Sequence, residues 1–353
     1  MAPNPRAQLT RLRLAAQWIA RPRPGASAAD VVRHLTAMQA QDFAGAQWSV
    51  ALRTTTLTEA NIEAAIADRS IVRSWPMRGT LHFVAPEDLG WILGLTGERG
   101  MRAAAGRHRQ LELDEADFDR AADVAREYLS GARLLTRPAL LKTWDDAGIS
   151  TAGQRGAHLL VNLSQKGVLV FGPREGKQHT FALLDDWVAA PRRLEGDEAL
   201  GELARRYFAS HGPATVRDFA WWSSLTLTQA RAAVVIAKPD ELVIDDTTYY
   251  LDAAVEPARG GVHLLPGFDE YLLGYQDRTA ALTKEHFELV VPGSNGMFMS
   301  TVVVDGEVIG LWRRTVKAGG LDVTVTPFAA SPDPGASPDT KRAAARYAKY
   351  LGL

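Results

Sequence analysis

The chain has 353 residues, enough for two or three packed modules around substantial cores. Its 46% hydrophobic and 23% charged content is ordinary for a globular protein, and the lack of cysteine excludes disulfides and thiolate metal sites. The net charge of −1 argues against a uniformly basic nucleic-acid binder, and the eight histidines fall singly, with no i, i+4 pair to hold a metal.

The charge is unevenly spread. No acidic residue precedes Asp30, whereas Arg6, Arg11, Arg13, Arg21 and Arg23 do. Arg99, Arg102, Arg107 and Arg109 form a second cluster, opposed by Glu98. Guanidinium forks suit bidentate phosphate contacts, although an Ala- and Arg-rich chain from a GC-rich genome carries the same pattern. The apolar run from Leu12 to Ile19 is too short for a membrane span, is broken by Arg13, and is followed by no small-residue cleavage site. A soluble, cytoplasmic protein is expected, nucleoid-associated if it binds DNA.

In chain order, Leu9, Leu12, Ala15, Ala16 and Ile19 keep helical spacing until Pro22 and Pro24. A second helix is predicted from Ser27 or Asp30 to Met38, and a third from Ala44 to Leu52. A fourth is opened by the box Thr56-x-x-Glu59 and carries Ile62, Ala65 and Ile66. Ile71 to Trp75 and Thr80 to Val84 read as strands around a turn at Pro76 and Gly79. The order then repeats. Thr136 caps a helix through Trp144, Thr151-x-x-Gln154 boxes another, and strands follow at Val168 to Phe171 and Gln178 to Leu183. It returns once more, with Thr215 capping a helix through Trp222, Thr226-x-x-Gln229 boxing one through Ile236, and strands at Glu241 to Asp245 and Thr247 to Leu251.

A helix pair followed by a two-stranded wing is a DNA-docking unit. Thr56-Leu57-Thr58-Glu59-Ala60 nearly matches Thr226-Leu227-Thr228-Gln229-Ala230, and Ala-x-Trp-Ser precedes both. The predicted fold class is α+β: three tandem winged-helix units (1–90, 91–192 and 193–256) with a β-rich C-terminal part and final helix (257–353). Duplication of a purely structural helical unit gives the same pattern. In the last part Phe287 to Val291, Met297 to Val304, Val308 to Arg314 and Leu321 to Thr326 read as strands. Gly293-Ser294-Asn295-Gly296 and Asp305-Gly306 are hairpin turns, Ser331 to Pro338 is a proline-rich loop, and a helix runs to Leu351.

Chemistry concentrates in four blocks. The first is Gln39-Ala40-Gln41, and the second runs Arg73-Ser74-Trp75-Pro76-Met77-Arg78-Gly79-Thr80-Leu81-His82. The third is His211-Gly212-Pro213-Ala214-Thr215 with Trp221-Trp222. The fourth is Leu265-Pro266-Gly267-Phe268-Asp269-Glu270-Tyr271-Leu272-Leu273-Gly274-Tyr275 with Asp277-Arg278. Together, and in this order, they resemble the blocks of the AlkZ-like winged-helix DNA glycosylases. Gln41 at the second motif position resembles the Gln-Φ-Gln branch rather than the Gln-Φ-Asp branch. The resemblance implies three winged helices with a β-rich part, and a monofunctional glycosylase acting on N7-alkylated purines in double-stranded DNA. It also implies unhooking of N7-linked crosslinks, in repair or self-resistance to a genotoxin.

The residue chemistry is compatible. A cationic N7-alkylpurine leaves with little help from an acid, so a neutral amide that fixes the attacking water and aims a carbonyl dipole at the sugar can suffice. Residues i and i+2 face the same way only in extended backbone, so the motif is placed just beyond a helix. Gln39 is assigned to the water and Gln41 to the sugar or the same water. Asp42 either caps the following helix or is itself the catalytic carboxylate. Arg78, Thr80 and His82 alternate on one strand face, meeting DNA or bracing the glutamines. Trp75 is either core or DNA contact. Asn295, Met297 and Phe298 sit at a turn able to wedge a minor groove, or in an ordinary hairpin.

No metal and no cofactor are expected, and the partner is alkylated duplex DNA, bound by a monomer, with no membrane. Two other readings stand beside this one. A non-catalytic winged-helix regulator or damage-binding protein would bind DNA without releasing a base. A metal-dependent nuclease would use Asp269, Glu270 and Asp277; these two acidic neighbours at 269 and 270 are otherwise expected to pair with arginines.

Overall fold

The computed structural model describes residues 5–317, 320–329, 331, 333–335 and 337–353. The chain opens with α1 (Pro5–Ala16), α2 (Ala28–Leu35), β1 (Ala37–Gln39), α3 (Phe43–Ala51), α4 (Glu59–Ala67), β2 (Val72–Met77) and β3 (Thr80–Val84). It continues with α5 (Pro86–Gln110), α6 (Glu115–Leu129), β4 (Leu135–Thr136), α7 (Arg137–Asp146), α8 (Arg155–Gln165), β5 (Leu169–Glu175), β6 (Gln178–Leu183) and α9 (Leu184–Trp187). Next come α10 (Gly196–His211), α11 (Val216–Ser223), α12 (Leu227–Ala237), β7 (Asp240–Ile244) and β8 (Thr247–Leu251). The last part holds β9 (Val262–Leu265), α13 (Glu270–Leu273), α14 (Lys284–Val290), β10 (Thr301–Val304), β11 (Glu307–Lys317), β12 (Gly320–Pro327) and α15 (Pro338–Tyr350). No helix among the described residues is long and apolar enough to cross a membrane.

This is a mixed α and β fold with antiparallel sheets. Helix pairs followed by hairpins occur as α3–α4 with β2–β3, α7–α8 with β5–β6, and α11–α12 with β7–β8. The first two hairpins are joined through Arg73 and Phe171 into one six-stranded sheet, ordered β1-β3-β2-β5-β6-β4. The third hairpin stands apart, and β12-β11-β10-β9 form a four-stranded sheet. That sheet shares its apolar core with the N-terminal helices: Leu14, Ile19 and Trp48 pack with Trp312, Tyr347 and Tyr350.

Several sequence expectations are corrected. The strand expected from Phe287 to Val291 is instead the helix Lys284–Val290 with Val291 at its cap, where Phe287, Val290 and Val291 at i, i+3, i+4 turn inward. With helix on one side, Gly293 to Gly296 is no hairpin; Pro292–Ser294 form a short 3-10 turn, and the strand begins only at Thr301. The cap of α4 is Thr58 with Asn61, not Thr56 with Glu59, which places Leu57 where it packs on the cluster holding Ile62. Thr151 does not box Gln154, because its hydroxyl donates to Asp145 at 2.7 Å, and α8 starts at Arg155. No element is predicted between Val84 and Thr136, where α5 and α6 lie. Parts of the loop read from Ser331 to Pro338 lie outside the described residues.

Thr215 and Thr226 cap α11 and α12 as read. Thr215 exchanges hydrogen bonds with Asp218, whose other carboxylate oxygen accepts from the backbone of Gln276 and Asp277. The cap thereby ties α11 to the segment after α13. Thr215→Ala is expected to cost about 1 kcal/mol, read as a fall in denaturation midpoint.

Candidate active site

The site begins where α2 stops. Thr36 closes that helix at φ 67 and ψ −54, a conformation a β-branched residue rarely adopts. The chain turns directly into β1, where Ala37, Met38 and Gln39 pair with Val84, Phe83 and His82. The helix therefore ends at Leu35, earlier than the Met38 expected, and Gln39 closes a strand. Ser74 of β2 faces His82 from the other side. Opposed residues in an antiparallel ladder point to the same face, so Gln39, His82 and Ser74 share one face. Thr80, two residues before His82, points the same way.

That face carries an unusual set of atoms. Gln39 is 8% exposed, and its Oε1 has no hydrogen-bond partner in the protein. Ser74 Oγ and Thr80 Oγ1 are also buried without partners. An unsatisfied buried polar atom costs about 1–3 kcal/mol, so natural folds carry few of them. Three such atoms gather on this one sheet face. Gln41 differs: it is exposed, and its Oε1 accepts from the Leu81 backbone at 3.3 Å.

His82 is fully buried, and its protonation follows from its partners. The Thr80 carbonyl can only accept, so Nδ1, 2.9 Å away, carries the hydrogen. Nε2 is then free to accept from Arg78 Nη2 at 2.9 Å. Burial, with help from Arg78, pushes the imidazole down to about 3. At neutral pH His82 is an uncharged brace and no proton donor. Arg78 and Gly79 form the two-residue turn between β2 and β3, both with positive φ, which is the geometry of a type I′ hairpin. The Arg78 backbone donates to Ser224, and its guanidinium to the carbonyls of Trp222 and Leu273. Arg78, Thr80 and His82 thus meet, and Arg78 and His82 bond inward.

Beneath Gln39 lies Glu270, the first residue of α13 and 1% exposed. Its Oε1 accepts from the Gln39 backbone N–H at 2.8 Å, and its Oε2 from the Trp222 indole at 3.0 Å. His211 Nε2 stands 3.4 Å from Oε2. Burial raises the carboxyl, yet the neighbouring His211 ring and the charge of Arg78 outweigh it and hold the group down to about 2. The expected arginine partner of Glu270 is therefore a field from Arg78, not a direct bond. Asp269 does pair directly, bridging Arg53 at 2.9 and 3.0 Å. Asp277 caps its own turn at Thr279. Among the described residues no three His, Cys, Asp or Glu side chains converge as metal ligands.

Asp42 stands at the start of α3 but makes no capping hydrogen bond. It is exposed, and it lines a groove of about 450 Å³ with Gly45, Phe268, Met297 and Phe298. A side chain at Gly267 would strike the Phe298 carbonyl, so the Gly267–Phe268 turn can approach this segment closely. Asn295 is exposed, its Oδ1 accepting from Met297 N, and Met297 is 56% exposed. Trp75 is half-buried against Phe171 at 5.0 Å, away from this groove. The sequence reading missed Trp221 and Arg278 as site residues. The guanidiniums of Arg78 and Arg278 lie 5.1 and 4.8 Å from the Trp221 ring, and Arg278 lies 5.2 Å from Phe298. Both belong to the recognised blocks, but only the fold stacks them.

Burial holds His82 down to about 3, and His34, His179 and His263 down to about 4, from 6.5. The unfolded chain binds these protons near 6.5 and the folded chain refuses them, so their stabilisation is complete above pH 6.5 and lost towards pH 4. The thermal midpoint should therefore fall between pH 7.5 and pH 5, before the carboxylates titrate. A constant midpoint over that range would contradict the assignment.

Comparison with known proteins agrees in kind. A family model described as "DNA glycosylase AlkZ-like" matches residues 32–350. The "Interstrand DNA cross-link repair glycosylase" of Streptomyces sahachiroi is 29% identical over 349 residues, covering 91% of this chain and 88% of that protein. The solved structure titled "Streptomyces sahachiroi DNA glycosylase AlkZ" superposes with a TM-score of 0.83 at 28% identity, covering 98% of this chain and 96% of that one.

Proposed function

We propose, given that this chain belongs to the AlkZ-like family of DNA glycosylases, that it hydrolyses the N-glycosidic bond of cationic N7-alkylpurines in duplex DNA. N7-linked interstrand crosslinks fall within the same chemistry, and the Streptomyces sahachiroi relative is named for cross-link repair. The observation that carries the reading is the Gln39 carbonyl oxygen, buried and without a protein partner on a polar sheet face.

An amide carbonyl in that position can accept a hydrogen from the attacking water and offer its dipole to the positive charge developing on the sugar. The nearest imidazole, His82, is held neutral, and Glu270 is held ionised, so neither supplies a proton to a departing base. A substrate already carrying positive charge on the base needs none. Gln41 is proposed to position the same water or the sugar from the exposed side. Asn295, Met297 and Phe298 are proposed to touch the duplex across the groove from Asp42, with Trp75 further out. Arg78, Thr80 and His82 are proposed to support the glutamines. Residues 1–90, 91–192 and 193–256 are read as winged helices that embrace the DNA together with 257–353, and the protein is read as a monomer.

One observation favours a second reading of the base: Asp42 is exposed and uncapped beside Gln41. If the amides suffice, Asp42→Asn keeps most of the excision rate, far from the ~10²–10⁴ that a general base contributes. A loss of that size would make Asp42 the catalytic carboxylate.

The test is direct. Purified protein is incubated with duplexes bearing N7-methylguanine or an N7-linked crosslink, and abasic sites are scored after alkali. Base release that is insensitive to chelator is expected. Binding without release from either duplex would leave a DNA-binding protein of another kind, and strand breaks that depend on a divalent cation would make it a nuclease.

A further inference from the structure

The backbone around Gln39 is held by charge on two sides. The Gln39 N–H donates to the Glu270 carboxylate at 2.8 Å. One residue on, the Ala40 carbonyl accepts two bonds from the Arg73 guanidinium, from Nε at 3.1 Å and Nη2 at 2.8 Å. Between them Ala40 N donates to Leu81 O at 2.7 Å, as an ordinary strand contact. Glu270 is 1% and Arg73 5% exposed. A strand needs no buried ions, because neutral backbone partners satisfy a ladder. Desolvating a carboxylate and a guanidinium to grip two peptide groups is expensive, and charge-assisted bonds are about twice as strong as neutral ones. The two ions also come from distant parts of the chain. Glu270 is anchored by the Trp222 indole, and Arg73 Nη1 lies 3.0 Å from His179 Nε2.

We propose that Glu270 and Arg73 form a charged clamp on the Gln39–Ala40 backbone, making both of them positioning residues that aim the Gln39 carboxamide. The inference rests on Gln39 being the working amide. Glu270 meets Gln39 only at the backbone N–H, so what it does to that residue is to fix its position. An amide in place of Glu270 can accept from one of its two donors but presents its own N–H₂ to the other, so the clamp opens while the shape persists.

The experiment compares wild type with Glu270→Gln, Glu270→Asp, Arg73→Lys and Gln39→Ala, and with the Gln39→Ala, Glu270→Gln double variant. Amide hydrogen exchange over residues 37–41 is read alongside single-turnover release of N7-methylguanine and the affinity for that duplex. Glu270→Gln should raise exchange at residues 37–41 by about tenfold or more, with α6 unchanged as an internal control. Excision should fall by about 10²-fold, the cost of a small misplacement, with DNA affinity nearly constant. Arg73→Lys and Glu270→Asp, which retain charge, should give smaller changes in the same direction and serve if Glu270→Gln does not fold. The double variant should be no slower than Gln39→Ala alone.

Unchanged exchange at residues 37–41 would overturn the clamp, as would losses that multiply in the double variant. If wild type releases no base while Glu270→Gln still frees these amides, the excision reading falls and the clamp stands.

Discussion

Replacing Gln39 by alanine should lower single-turnover excision by about 10²–10³-fold, the loss typical of removing one preorganised polar group from a transition state. Stability should not fall with it. The Gln39 Oε1 is already buried without a partner, so alanine removes an unfavourable atom along with the side chain. The expected signature is a large rate loss with a denaturation midpoint equal to wild type or slightly higher, as for a residue kept for function. Gln41→Ala should cost less, about tenfold, because the residue is exposed and its oxygen is partly engaged by Leu81 N. DNA affinity should stay near wild type in both. Wild-type turnover by the double variant lacking both amides would remove the glutamines from the mechanism.

Much of this site could be read in one dimension because its pieces are local. The Gln39-Ala40-Gln41 spacing called for extended backbone just beyond a helix; a three-residue strand that begins two residues after α2 supplies it for Gln39, while Gln41 lies past the strand's end. Thr215 and Thr226 announced their helices through side chain and spacing alone. The elements that failed were those whose identity depends on packing. Phe287 to Val291 is a short apolar run that suits a strand or a helix, and the burial of Phe287, Val290 and Val291 against one core marks the helical choice. Helix α5 carries glycines at 90, 94, 97, 100 and 106, which mute its periodicity, and Gly97 and Gly100 are there because α8 passes close at Gln165. Glu270 could be seen only as an acid in a block. Its partner Gln39 is 231 residues away, and no sequence spacing predicts that bond. The joining of two hairpins through Arg73 and Phe171 was hidden for the same reason.

The largest expected loss of stability lies one residue before Glu270. Arg53 is fully buried, donates to both carboxylate oxygens of Asp269, and also binds Ser49 O at 2.7 Å and Gln17 Oε1 at 3.0 Å. One guanidinium therefore fastens the end of α3, the segment after α1 and the start of α13. Arg53→Met should cost about 3–5 kcal/mol by chemical denaturation, because it strands the Asp269 carboxylate without its countercharge. Arg53→Met with Asp269→Asn should recover part of that loss, since the stranded charge, more than the missing attraction, is the damage. Asp269 Oδ1 also caps the Tyr271 amide, so loosening it shifts α13 and with it the carboxylate that holds Gln39. Excision by the folded fraction of Arg53→Met should accordingly fall even where folding is restored by low temperature. If the single variant is as stable as wild type, the pair is not the fastening point of these three elements. If the double variant is no better than the single, unpaired charge is not what the substitution costs.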